Sequence, residues 1–111
     1  MKLKDKVVVI TGASDGIGRQ IALRLAKECT KLALIARNEE RLRNTVDEAT
    51  SFGASEAKFY SCDLRNTEKL ESVANKIISD FGHVDILINN AGVWQKLMSV
   101  MIFPKRLWMR L

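Results

Sequence analysis

Apolar positions along this chain fall into two alternating rhythms, and the alternation predicts the elements. Val7 to Ile10 is an unbroken β-branched run between Lys6 and Thr11-Gly12, which is the pattern of a strand buried on both faces. From Gly16 to about Cys29 the residues Ile17, Ile21, Ala22 and Leu25 recur at helical spacing. Lys31 to Ala36 then holds a second apolar run, Leu32-Ala33-Leu34-Ile35. Asn38 is placed to cap the next helix, Glu39 and Glu40 suit the positive end of its dipole, Leu42, Val46 and Ala49 line one face, and Gly53 stops it. Lys58 to Cys62 reads as a third strand. Thr67 and Glu68 open a helix bearing Leu70, Val73, Ala74 and Ile77, which Phe81-Gly82 closes, and Val84 to Ile88 is a fourth strand ending at Asn89.

The order β-α-β-α-β-α-β predicts an α/β fold: a partial Rossmann-type, doubly wound parallel sheet of about four strands, with right-handed crossovers and helices on both faces. After Gly92 the pattern stops. Leu97 to Phe103 is apolar, Pro104 interrupts, and Lys105 to Leu111 alternates basic and apolar, with no element assigned.

With 111 residues, 47% hydrophobic and 28% charged, the chain has room for one modest core. The net charge of +5 does not read as a nucleic-acid footprint, because Lys105, Arg106 and Arg110 supply much of it and the body mixes its cations with acids. Cys29 and Cys62 make no disulfide framework and one His completes no zinc cluster, so no metal is expected and a reduced, cytoplasmic compartment is. The charged start, Met1 to Lys6, leaves no room for a signal peptide, and no apolar run reaches membrane-spanning length, so a membrane partner is not expected.

The strongest chemical signal is Thr11-Gly12-Ala13-Ser14-Asp15-Gly16-Ile17-Gly18, a glycine-rich turn between a strand and a helix. Gly12 permits the tight turn, Gly16 lets backbone approach a pyrophosphate, and Gly18 lets the helix lie close to the sheet. The helix start then offers unpaired N–H groups to the anion. Gly12, Ser14, Asp15, Gly16, Ile17 and Gly18 are therefore candidate contacts to a dinucleotide. The spacing is G-x-x-x-G-x-G, distinct from the general G-x-G-x-x-G.

Dinucleotide folds usually place an acid about 20 residues past the glycines to hold the ribose hydroxyls. Here that place reads Ala36-Arg37-Asn38. A carboxylate would repel a 2′-phosphate, whereas Arg37 offers it a planar fork of donors, which favours NADP(H) over NAD; the alternative is a solvated residue at a strand end. Asp63, after the third strand, either accepts from the adenine amino group or caps a turn, with Leu64 beside it.

With Asn89-Asn90-Ala91-Gly92 at the end of the fourth strand, the chain resembles the short-chain dehydrogenase/reductase family from about Lys4 to Met98. The resemblance implies that Asn89, Asn90, Ala91 and Gly92 stabilise the central sheet and pass beside the cofactor, that Asp63-Leu64 is the adenine-side pair, and that Arg37 stands where NADP-preferring members carry a basic residue. Such members often have Lys or Arg where this loop has Asp15, so the selector is expected to rest on Arg37 alone. The domains expected are a partial NAD(P)-binding domain over 1–98 and an atypical tail over 99–111.

The resemblance also implies an Asn-Ser-Tyr-Lys set for hydride transfer between carbonyl and alcohol, in which Tyr within Tyr-x-x-x-Lys is the acid/base. The sole tyrosine is Tyr60, followed by Ser61-Cys62-Asp63-Leu64 with Leu where Lys must stand. It reads as sheet packing, His83 as a solvated loop residue, and Cys62 as a small buried hydrophobe. No catalytic residue is assigned. The expectation is a chain that keeps the dinucleotide-binding half, ends before the catalytic residues and lacks catalysis, as a split, spliced or frameshifted product would. The alternative is a non-catalytic truncated isoform acting through protein or membrane contacts. The fourth strand is expected to leave an open edge that invites a second copy, a full-length relative, aggregation, or cover by the tail.

Overall fold

Alternate residues of a strand face opposite sides of a sheet, and here both sides are apolar. The computed structural model describes residues 2–90 and, as backbone, residues 107–110. Its elements are β1 (Val7–Thr11), α1 (Gly16–Ala26), β2 (Lys31–Ala36), α2 (Glu39–Phe52), β3 (Glu56–Ser61), α3 (Thr67–Phe81), β4 (Ile86–Asn89) and β5 (Leu107–Arg110). The strands pair in parallel in the order β3-β2-β1-β4-β5.

Val7, Val9, Ala33, Ile35, Tyr60 and Leu87 point to one side, where α3 covers them with Leu70, Val73, Ala74 and Ile77. Val8, Ile10, Leu32, Leu34, Ile86 and Ile88 point to the other, against Ala22, Leu23 and Ala26 of α1 and Leu42 and Ala49 of α2. The sheet is thus wound on both faces. Full burial of a side chain such as Ile10, Leu32 or Leu34 contributes about 1.5 to 3 kcal/mol, and β1, buried along its whole length, draws on both layers.

Several boundaries differ from the sequence expectation for identifiable reasons. Helix α1 stops at Ala26, because Cys29 turns with φ of 60° and the Thr30 hydroxyl donates to the Leu25 carbonyl at 2.9 Å. Its buried face is Gly18, Ala22, Leu23 and Ala26, while Ile17 is 66% exposed. The edge strand β3 begins at Glu56 and pairs from there with Lys31, since an edge tolerates charged residues that a central strand would not. Strand β4 begins at Ile86, because the Asp85 carboxylate accepts from the Val7 backbone N–H at 2.8 Å and takes the place of a ladder bond.

Of the outcomes expected for the edge of β4, cover by the tail is the one the structure shows: β5 pairs with it from Ile86↔Leu107 to Asn89↔Arg110, so the sheet has five strands where about four were expected, and the last lies in the stretch left unassigned from sequence. Among the described residues no helix is long and apolar enough to cross a membrane.

Candidate dinucleotide site

The carboxyl ends of β1, β2 and β3 open into one cavity of about 510 Å3. Six of the residues singled out from sequence line it: Gly12, Ser14, Asp15, Arg37, Asp63 and Leu64. The loop after β1 takes its shape from two left-handed glycines, with φ of 66° at Gly12 and 57° at Gly16. The Gly12 N–H donates to the Ile35 carbonyl at 2.8 Å, which ties the turn to β2. A Cβ on Gly16 would meet nothing within 4 Å, so the loop there faces open space and leaves its backbone accessible.

Gly18, Asn89 and Asn90 form the scaffold beneath the loop. A Cβ on Gly18 would lie 2.1 Å from the Gly12 carbonyl oxygen and 2.8 Å from Asn90 Nδ2, so the helix start can rest on the loop only without a side chain. The buried Thr11 hydroxyl donates to Asn89 Oδ1 at 3.0 Å and accepts from the Asn90 N–H at 3.0 Å, joining the ends of β1 and β4. The Nδ2 of Asn89 is buried without a partner among the described residues. Ile17 does not line the cavity; with Gly16 and Ile88 it borders a separate apolar groove beside α1. Ala91 and Gly92 lie outside the described residues.

Helices α2 and α3 are capped by Asn38, which accepts from the Arg41 N–H, and by Asn66, which accepts from the Lys69 N–H. Helix α1 has Asp15 at its cap position with no side-chain bond to the helix. Its first N–H groups are therefore left to water or to an anion.

Three arginines and two aspartates set the electrostatics. Arg65 grips the Asp63 carboxylate with Nε and Nη2 at 3.1 and 3.0 Å, and its backbone N–H adds a third bond at 3.0 Å. These bonds, with smaller help from the charge of Arg37, pull the Asp63 carboxyl down to about 2. The turn-cap reading of Asp63 is thus realised through Arg65, and its carboxylate still lies on the cavity wall. Arg41 Nη1 donates to Asp15 Oδ2 at 2.8 Å. Arg37 has no ion-pair partner among the described residues. Sequence reasoning missed Arg41 and Arg65 as lining residues. Arg41 carried a signal, since a cation in the first turn of a helix opposes the dipole and calls for a local anion.

Of the remaining polar candidates, Cys62 lines the cavity, whereas Tyr60 and His83 sit elsewhere. The Tyr60 hydroxyl donates to Asp80 Oδ2 at 2.7 Å, and burial followed by that bond raises its pKa far above the ordinary phenol value. Burial also raises the Cys62 thiol, against a smaller opposing effect of Lys69. His83 is exposed and 3.0 Å from Asp85.

A parallel sheet in this strand order, with a glycine loop over its carboxyl edge, defines a Rossmann-type nucleotide-binding fold. The chain belongs to the short-chain dehydrogenase family, whose model matches residues 6–111. It is 42% identical over 91 residues to an 11-beta-hydroxysteroid dehydrogenase of Pinus massoniana, an alignment covering 82% of this chain and 26% of that one. An actinorhodin polyketide ketoreductase solved with NADPH superposes with a TM-score of 0.74 at 41% identity, over 79% of this chain and 33% of that one. An NAD+-bound xylitol dehydrogenase superposes at 0.78 and 39% identity, over 83% and 35%. The chain spans between a quarter and two fifths of the length of the curated relatives it matches.

Proposed function

We propose that this chain is the NADP(H)-binding half of a short-chain carbonyl or alcohol oxidoreductase, and that the 111 residues perform no hydride transfer by themselves. The observation that carries the cofactor reading is Arg37, a cation on the wall of the cavity with no ion pair among the described residues, at the strand end where an acid would select NAD. Gly12, Ser14 and Gly16 would cradle the pyrophosphate against the start of α1, Leu64 would supply an apolar wall and Asp63 an acceptor at the adenine, and Arg37 would meet the 2′-phosphate. The cofactor would supply the hydride. The absence of catalysis rests on Tyr60, the one tyrosine, whose hydroxyl is tied to Asp80 and whose sequence context lacks the lysine that would lower its pKa.

Titration of the purified chain with NADP(H) and NAD(H), followed by thermal unfolding, tests this directly. The midpoint should rise with concentration, more for NADP(H), and an Arg37→Ala variant should lose the difference. A charge-assisted contact of about 1.5 to 3 kcal/mol corresponds to roughly ten- to hundredfold preference. An equal response to both dinucleotides overturns the selectivity, and turnover of NADPH with a carbonyl substrate overturns the second part.

A further inference from the structure

Asp15 and Arg41 come from different elements, the loop after β1 and the first turn of α2, and meet on the wall of the cavity. Arg41 stands where the helix dipole disfavours a cation, so its guanidinium needs an anion nearby. Asp15 is that anion. Its carboxylate makes no cap bond to α1, and Arg41 is its ion-pair partner at 2.8 Å. The two side chains are 66% and 61% exposed, so the pair is weak enough to exchange partners.

Resting on the reading of this cavity as an NADP(H) site, we propose that Arg41 is a second determinant for the 2′-phosphate beside Arg37, and that the Asp15 carboxylate is the internal anion which that phosphate displaces. A guanidinium has five N–H donors, and Asp15 engages one nitrogen of it, so Arg41 can turn toward a phosphate without losing its approach to the cavity. A dianionic phosphate near Arg37 and Arg41 gains two partners, while the displaced Asp15 returns to water. The acid at position 15 thus tempers the preference for the phosphorylated cofactor without abolishing it, because it neutralises one of two cations. NAD lacks the competing phosphate and leaves the pair intact.

The test is calorimetric titration of the full 111-residue chain with 2′,5′-ADP and with AMP, which probe the adenosine half with and without the 2′-phosphate. Arg41→Ala should weaken 2′,5′-ADP about fivefold and leave AMP within about twofold, Arg41→Lys should lose part of that, and Asp15→Asn should tighten 2′,5′-ADP severalfold. In the double variant the tightening should vanish. Should Arg41→Ala fail to unfold cooperatively, the Arg41→Lys and Asp15→Asn arms decide. A ratio unchanged in the Arg41 and Asp15 variants, but lost in Arg37→Ala, overturns this inference and leaves the NADP(H) reading standing. A wild-type chain that binds both probes equally, or neither, overturns that reading and this inference with it.

Discussion

Asn90 and Gly12 are joined across the carboxyl edge of the sheet, the Asn90 side-chain amide donating to the Gly12 carbonyl at 3.3 Å. The same carbonyl lies 2.1 Å from where a Cβ on Gly18 would stand. One backbone oxygen is therefore the point on which the end of β4, the loop and the start of α1 converge.

Two glycine substitutions should separate packing from binding. Gly18→Ala drives a methyl into backbone, and overpacking of this kind costs about 1 to 3 kcal/mol, lowering the urea midpoint without any ligand present. Gly16→Ala meets no neighbour and should cost only the left-handed strain, about 1 to 2 kcal/mol, while placing a methyl where a pyrophosphate would approach. Unfolding curves and dinucleotide titration of both variants check this. Equal loss of stability with equal retention of binding would refute the division of roles.

Thr11→Val should destabilise the chain by about 1 to 3 kcal/mol although the shape is nearly kept. The hydroxyl serves both Asn89 Oδ1 and the Asn90 N–H inside the protein, and Val leaves both without that partner. Chemical denaturation reads the loss directly, and a variant as stable as the wild type would show that the hydroxyl is dispensable.

These glycine and asparagine positions were legible in the sequence because each motif sits at the end of an apolar run of unmistakable period. So were β2, the cap at Asn38, the stop at Gly53 and the apolar face of α3, where local chemistry and burial agree. What escaped notice depends on residues distant in sequence. The start of β4 moves because Asp85 reaches Val7, the buried face of α1 rotates because Gly18 rests on Gly12, and Arg41 joins the cavity because Asp15 draws it there. Strand β5 escaped because Leu107-Trp108-Met109-Arg110 is a short run set among Lys105, Arg106 and Arg110, with no pattern of its own that marks a strand; its place is set by the edge of β4.

Asp63 should report its latch by pH. A carboxyl held near 2 keeps its charge in the folded chain, so its contribution to stability is present above about pH 4 and is lost as pH falls toward 2. Arg65→Ala removes the largest cause and should return the carboxyl toward about 3.9. An NMR titration of the Asp63 carboxyl carbon measures the change; a value that stays near 2 in the variant would show that Arg65 is not the cause.

Tyr60 should resist alkali while the chain is folded. Its raised pKa disfavours the phenolate in the native state, so stability is intact below about pH 10 and declines as pH rises past that value, where the unfolded chain ionises freely. As the only tyrosine, it can be followed by phenolate absorbance. The signal should appear together with unfolding, and Tyr60→Phe should flatten the alkaline decline. Ionisation near pH 10 in a chain that remains folded would contradict the buried bond to Asp80.

The central place of β1 governs the order in which the molecule assembles. Its pairing with β2 closes a short crossover, whereas its pairing with β4 joins Thr11 to Asn89 across 78 residues, a loop roughly three times as long whose closure costs about 1 kcal/mol more. During synthesis the first strand made must wait for one of the last before its second neighbour arrives. The Asn90 bond to Gly12 forms only then. The junction of β1, β4 and the glycine loop is thus closed only once β4 is in place, and β5 joins the sheet through the edge which that pairing presents.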